Sequence, residues 1–191
     1  MCGFLAQISK SKYHYNTFSK KDFENAAQEI SHRGPDFNST IHLDNGTSFA
    51  HYRLSIIDNT KNSDQPFISK CGRYILIFNG EIYNYKFLAN KYFPKLLVKG
   101  DTETLMSLLI NHDINKFLSE IEGMFSFVFF DKITNYFVAA RDRFGIKPLY
   151  YFNDQNTTIL ASEPFPIAKI IKANQDDISL DEIQSYRRPT P

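Results

Sequence analysis

Tryptophan is missing altogether, and only two of the 191 residues are cysteine. Two thiols, Cys2 and Cys71, cannot build the disulfide framework of a small secreted scaffold. They form no CxxC pair, and the five histidines show no HExxH spacing, so no metal site is expected. No apolar run approaches the roughly 20 residues that span a bilayer. GFLAQI is too short for a secretory leader and is soon followed by SKSKYHYN. An excess of one charge is lacking too. The 22 Lys and Arg stand against 21 Asp and Glu, which argues against a nucleic-acid binder. A glycine-rich phosphate loop, internal repeats and low-complexity tracts are also absent. What remains is a cytoplasmic globular protein of about one domain, with neither a membrane nor a nucleic acid as partner.

Aromatics are what the chain has in quantity: 18 Phe and 11 Tyr, within 42% hydrophobic residues. Such side chains favour the pleated surface of strands. FLAQI opens as a short strand, and Phe23, Ala26, Ala27 and Ile30 then recur at helical spacing behind Ser19, a suitable N-cap. STIHL and TSFAHYRLSIID flank DNG, a hairpin signal. RYILIFNGEIYNY reads as a strand running into a glycine break. A helix over EIYNYKFLANKYF follows, ending near Pro94. DTETLMSLLI is spaced as a buried helix capped by Asp101 or Thr102, and NKFLSEI suggests another short one. From Gly123 the pattern turns to strands, MFSFVFFD, NYFVAAR, PLYYF and TILASE, joined by turns at DKITN and NDQNT. The stretch from Glu163 onward loses strand character and gains proline, with Ser179 and Glu182 as a capping box before a further helix. Two antiparallel sheets face to face, covered by helices, would bury these faces.

Several polar residues stand where strand patterning does not ask for them. MCGF puts Cys2 directly after the initiator. Methionine is usually trimmed before a small residue, and Cys2 would then carry a thiol and a free α-amine together, a nucleophile with its own base. Local packing is the plainer alternative. Arg53 begins an apolar run, Asn79, Gly80 and Glu81 end one, and Asp101 stands at a helix start. On composition alone Asp101 is a cap, NG a turn, and Arg141 and Arg143 ion-pair partners.

In combination these words resemble those of the class II, N-terminal-nucleophile glutamine amidotransferases, most closely the glutaminase domain of the asparagine synthetase B type. The matching words are MCGF, HRGPD, AHYRLSIID, FNGEIYNY, GDTE, GMFSFVFFD and ARDRFGIKPLYY, then ASE, in the family's order over residues 1 to about 163. Tyr52 stands where the family usually has Glu, and Gly100 where it often has Ser.

The resemblance implies an α+β fold, a four-layer αββα sandwich of two antiparallel sheets. It implies hydrolysis of L-glutamine to L-glutamate and ammonia through a Cys2 thioester, with the α-amine, of ordinary pKa about 7.7 to 8.0, relaying the proton. Asn79 and the Gly80 backbone N–H match the oxyanion donors. Arg53 matches the reader of the α-carboxylate, and Glu81 and Asp101 match the acceptors of the α-ammonium. Residues 1–163 would be the glutaminase domain and 164–191 an extension toward an ATP-dependent synthetase domain or subunit. ATP and Mg²⁺ would serve only that second unit, with no cofactor and no metal in this one. The acceptor of the ammonia stays open between aspartate and another carboxylate, as does a homodimer. Two other classes compete: a non-catalytic regulatory or interaction domain on the same scaffold, and an N-terminal-nucleophile acylase. The zwitterion-reading trio Arg53, Glu81 and Asp101 speaks against the acylase.

Overall fold

The computed structural model describes residues 1–11, 19–54, 64–95, 97–172 and 184–185. Its strands form two antiparallel sheets. The first contains β1 (Gly3–Ser9), β2 (Phe37–His42), β3 (Ser48–Arg53), β8 (Tyr150–Asn153), β9 (Thr157–Ala161) and β10 (Gln184–Ser185), in the order β10-β8-β9-β1-β3-β2. The second contains β4 (Phe67–Ile68), β5 (Tyr74–Ile82), β6 (Gly123–Asp131) and β7 (Tyr136–Arg141), in sequence order. Five α-helices accompany them among the described residues: α1 (Lys20–Ala27), α2 (Tyr85–Tyr92), α3 (Asp101–Asn111), α4 (Ile114–Phe117) and α5 (Pro164–Lys172).

Alternation along the strands produces the layers. Successive side chains leave opposite faces of a sheet, so Phe4, Ala6 and Ile8 of β1 meet Phe49, Ile75, Ile77, Val128 and Phe130 between the two sheets. Leu5, Ala50, Ile159 and Ala161 point the other way, onto Phe23, Ala26, Ile167 and Ile170 of α1 and α5. On the far side Leu76, Phe78, Ile82 and Phe127 pack under Leu88, Leu105, Leu108 and Phe117 of α2, α3 and α4. The result is the expected αββα sandwich. Each fully buried Phe or Ile in these rows contributes on the order of 2 kcal/mol.

Local signals act as the sequence suggests at several places. The Ser19 hydroxyl accepts from the Asp22 N–H at 3.1 Å and caps α1. In the DNG turn between β2 and β3, Gly46 takes φ 83°.

Others differ. β5 is not broken by its glycine and runs through Gly80 to Ile82, with Gly80 opposite Phe125 of β6. A Cβ there would sit 2.1 Å from the Met124 carbonyl oxygen, and φ is 147°, so the glycine permits close approach of two strands rather than a turn. Gly100, not Asp101 or Thr102, is the N-cap of α3. Residues 164–172, read only as losing strand character and gaining proline, form the helix α5. Its prolines occupy the first turn, where N–H groups have no partner inside the helix anyway. Ser179 and Glu182 lie outside the described residues, and Gln184–Ser185 pair with β8 as strand rather than continue a helix.

Candidate active site

The rows that fill the inter-sheet layer change character at one end. Extending the β1 row Phe4, Ala6, Ile8 backward gives Cys2. Extending the β3 row forward from Phe49 gives His51 and Arg53, and the β5 row Ile75, Ile77 leads to Asn79 and Glu81. The same alternation that builds the core therefore aims these side chains at one place. Cys2, Arg53, Asn79, Gly80, Glu81 and Asp101 all line a cavity of about 290 Å³, together with Met1, His51, Gln65, Tyr85, Met124 and Lys147. A larger cleft of about 600 Å³, between Ile121–Phe125 and Ala140–Phe144, contains none of the six.

The main chain of Cys2 is clamped. Arg33 donates from Nε to the Cys2 carbonyl at 3.1 Å, and its Nη1 pairs with Glu163 at 2.7 Å. The Cys2 sulfur accepts from the Leu54 N–H at 3.4 Å and lies 3.7 Å from the Leu54 carbonyl. Ahead of it, the Met1 thioether accepts from Lys147 Nζ at 3.1 Å.

An open strand edge forms the opposite wall. β4 covers β5 only at Ile75 and Leu76, and beyond it the outer edge of β5 has no strand neighbour among the described residues. Side chains take over its donors: Gln65 Oε1 accepts from the Phe78 N–H at 2.5 Å and Asp101 Oδ2 from the Ile82 N–H at 3.2 Å. Alternation places the Gly80 N–H between them on that same edge. Beside it Asn79 is 1% exposed, and its Nδ2 has no hydrogen-bond partner among the described residues. A buried, unanswered amide donor is costly in a folded protein, and this one lies in the wall of a cavity that holds a thiol.

Charge in the cavity is divided. Arg53 is buried and pairs through Nη1 with Asp64 at 2.8 Å, so an ion-pair role is real whatever else it does. Burial pushes the Asp101 carboxyl above its ordinary range, against hydrogen bonds from Ile82 and Thr102. A carboxylate held in this way favours a cation beside it. His51 is the reverse case. Its Nε2 donates to the Phe78 carbonyl at 3.1 Å and burial lowers its pKa to about 4, so it is neutral at neutral pH and a poor base.

His51 and Lys147 escaped the sequence reading. His51 was legible in principle, two residues before Arg53 on the same face of one strand. Lys147 was not, because its place depends on the fold of the loop Asp142–Lys147. The two departures from the family words land differently. Tyr52 sits on the opposite face of β3, packed with the α1 and α5 layer, away from the cavity. Gly100 lines the cavity, and a Cβ there would meet nothing within 4 Å.

This layering, with a cysteine leading the first central strand into a cavity edged by an open strand, is the arrangement that the resemblance to N-terminal-nucleophile amidotransferases implies. Residues 1–190 match the family model described as "Glutamine amidotransferase domain", and the chain belongs to that family. It is a class II glutaminase domain related to those of the asparagine synthetase B type. It is 36% identical over 191 residues to asparagine synthetase [glutamine-hydrolyzing] 1 of Bacillus subtilis (strain 168), covering 97% of this chain and 29% of that protein. It is 38% identical over 164 residues to asparagine synthetase [glutamine-hydrolyzing] 2 of the same organism, covering 85% and 22%. The chain thus spans less than a third of the length of these curated relatives. Among solved structures, the glutamine phosphoribosylpyrophosphate amidotransferase of B. subtilis shares the fold, with a TM-score of 0.68 at 17% identity over 88% of this chain and 43% of that one.

Proposed function

We propose that the domain, once Met1 is removed, hydrolyses L-glutamine to L-glutamate and ammonia at Cys2. The observation that carries this reading is the buried, unpartnered Asn79 amide in the cavity that Cys2 lines. The Cys2 sulfur attacks the side-chain amide carbon while its α-amine takes the thiol proton. Asn79 Nδ2 and the Gly80 N–H donate to the oxyanion of the tetrahedral intermediate. As the C–N bond breaks, the amine returns the proton to the leaving nitrogen, which departs as ammonia. Water then attacks the γ-glutamyl thioester, the amine again relays the proton, and glutamate leaves with the thiol regenerated. Arg53 would read the substrate α-carboxylate, and Glu81 and Asp101 its α-ammonium, which answers the desolvated charge of Asp101. His51, tied to Phe78 and held neutral, takes no proton in this scheme.

The reaction so written needs no metal or other cofactor in this domain. Residues 1–163 carry the chemistry, and 164–191 lead toward an ATP- and Mg²⁺-dependent amide synthetase, as a further domain or as a separate subunit. That synthetase would pass the ammonia to a carboxylate acceptor, with aspartate the first candidate on the strength of the asparagine synthetase relatives. Self-association as a homodimer is compatible with this arrangement. Among the described residues no helix is long and apolar enough to cross a membrane.

Intact mass before and after treatment with a diazoketone analogue of glutamine tests the reading. The expected result is loss of Met1 and one adduct on Cys2, blocked by glutamine. A trimmed chain that takes no adduct and releases no ammonia from glutamine would instead identify a non-catalytic domain on this scaffold.

A further inference from the structure

The chemistry above leaves Lys147 unused, although it lies in the same cavity as Cys2 and is only 5% exposed. Its position is built, not incidental. The Asp142 carboxylate accepts from the N–H groups of Phe144, Ile146 and Lys147 at 3.1, 2.9 and 2.9 Å and from Phe125 at 3.2 Å, which fixes the loop and aims the lysine inward. Nζ then meets the Met1 thioether, a weak acceptor that does not account for burying an ammonium. Burial and the Arg33 guanidinium lower the pKa of Lys147, while Cys2, Asp142 and Glu81 oppose them. The other charged groups of the cavity are Arg53, paired with Asp64, together with Asp101 and Lys99. His51 there is neutral.

We propose that Lys147 is a positioning residue for the nucleophile: its ammonium, buried in the cavity that Cys2 lines, keeps the α-amine of mature Cys2 unprotonated at neutral pH. This rests on the reading that Met1 is removed and that the α-amine is the base. An ammonium at the chain start disfavours a second positive charge beside it, and Arg33 on the Cys2 carbonyl acts in the same sense. Asp142 and Glu81 favour the charged form of the lysine against its burial. Lys147 neither gives nor takes the proton, which passes from the sulfur to the amine and on to the departing ammonia.

The test compares trimmed wild type with Lys147→Met and Lys147→Arg, with Lys147→Gln in reserve should the methionine variant not fold. In the Met variant the acid limb of kcat/KM should move up by about one pH unit, a roughly tenfold loss below the limb, with the alkaline plateau retained. The Arg variant should keep the wild-type limb. The pH dependence of Cys2 alkylation by iodoacetamide, which needs no glutamine, should move in the same direction. An unmoved limb with uniformly lower kcat/KM, or an effect confined to KM, overturns the proposal, since the lysine would then brace the fold or touch glutamine. A wild type that turns over no glutamine at any pH defeats the functional reading, and the alkylation profile still decides Lys147.

Discussion

The layer between the two sheets has unlike ends built from the same three strands. At one end Phe4, Ile8, Phe49 and Ile75, joined by Phe130 of β6, close a dry interior. At the other, rows of the same parity carry Cys2, His51, Arg53, Asn79 and Glu81 into a cavity. Strand alternation does not distinguish the ends. The difference lies in neighbours: β4 stops after two residues and leaves the edge of β5 to side chains. The sealed end shows what strand alternation does by default. The open end shows how little must change, one short strand and a few polar residues, for a core to become a site.

Substitutions should separate the two ends, one governing rate and the other stability. The largest effect is expected at Cys2. Cys2→Ala should lower kcat for ammonia release by about 10⁴-fold or more, upward of about 5 kcal/mol of barrier, with little change in a urea unfolding curve. Phe130→Ala at the sealed end should do the opposite, costing about 4 kcal/mol of unfolding free energy while the rate per folded molecule holds. Asn79→Ala should slow turnover by about 10²- to 10³-fold, about 3 kcal/mol, yet leave stability nearly untouched, because its amide nitrogen has no bond to lose. A loss of stability as large as that of Phe130→Ala would mean that the open end is ordinary core.

Acid should act on the open end. His51 titrates near 4 in the fold against 6.5 when free, so between these values the unfolded chain binds more protons than the folded one. Stability should therefore hold above about pH 6.5 and fall by about 3 kcal/mol on the way to pH 4. Urea midpoints across that range, for wild type and His51→Gln, check it, and the variant should show a flatter slope. The smallest effect belongs to Gly100. Its φ of −171° is open to any residue and nothing crowds a Cβ there, so Gly100→Ser should add a few tenths of a kcal/mol as a better cap for α3, about 0.3 kcal/mol by calorimetry.

How much was legible in the sequence follows from how local each signal is. The Ser19 cap and the DNG turn depend on a few adjacent residues and could be read directly. The six site residues were found by their words, but Cys2, Arg53, Asn79 and Glu81 converge by parity along three strands, which the sequence contains without the pairing that makes it spatial, while Asp101 arrives from the start of α3. NG in FNGE misled because a glycine that makes room for Met124 looks the same as one that makes a turn, and the Met124 carbonyl is 44 positions away. α5 was hidden by its two prolines, whose meaning depends on whether they fall in the first turn. Lys147 was unreadable for a related reason: four N–H groups had to meet on Asp142 before its direction was defined.

The Asp142 brace also bears on how this surface can be altered. The loop takes its shape from main-chain groups gripping one carboxylate, and any residue except proline supplies the same N–H. Phe144 is 86% and Ile146 55% exposed, so the tip contributes little packing. Gly145, at φ 67°, is the position that must stay small or become Asn. A combinatorial library at Arg143, Phe144 and Ile146 can therefore rewrite the face the loop shows to its surroundings while Asp142 and Lys147 keep their stations, a handle for redirecting contacts without disturbing catalysis.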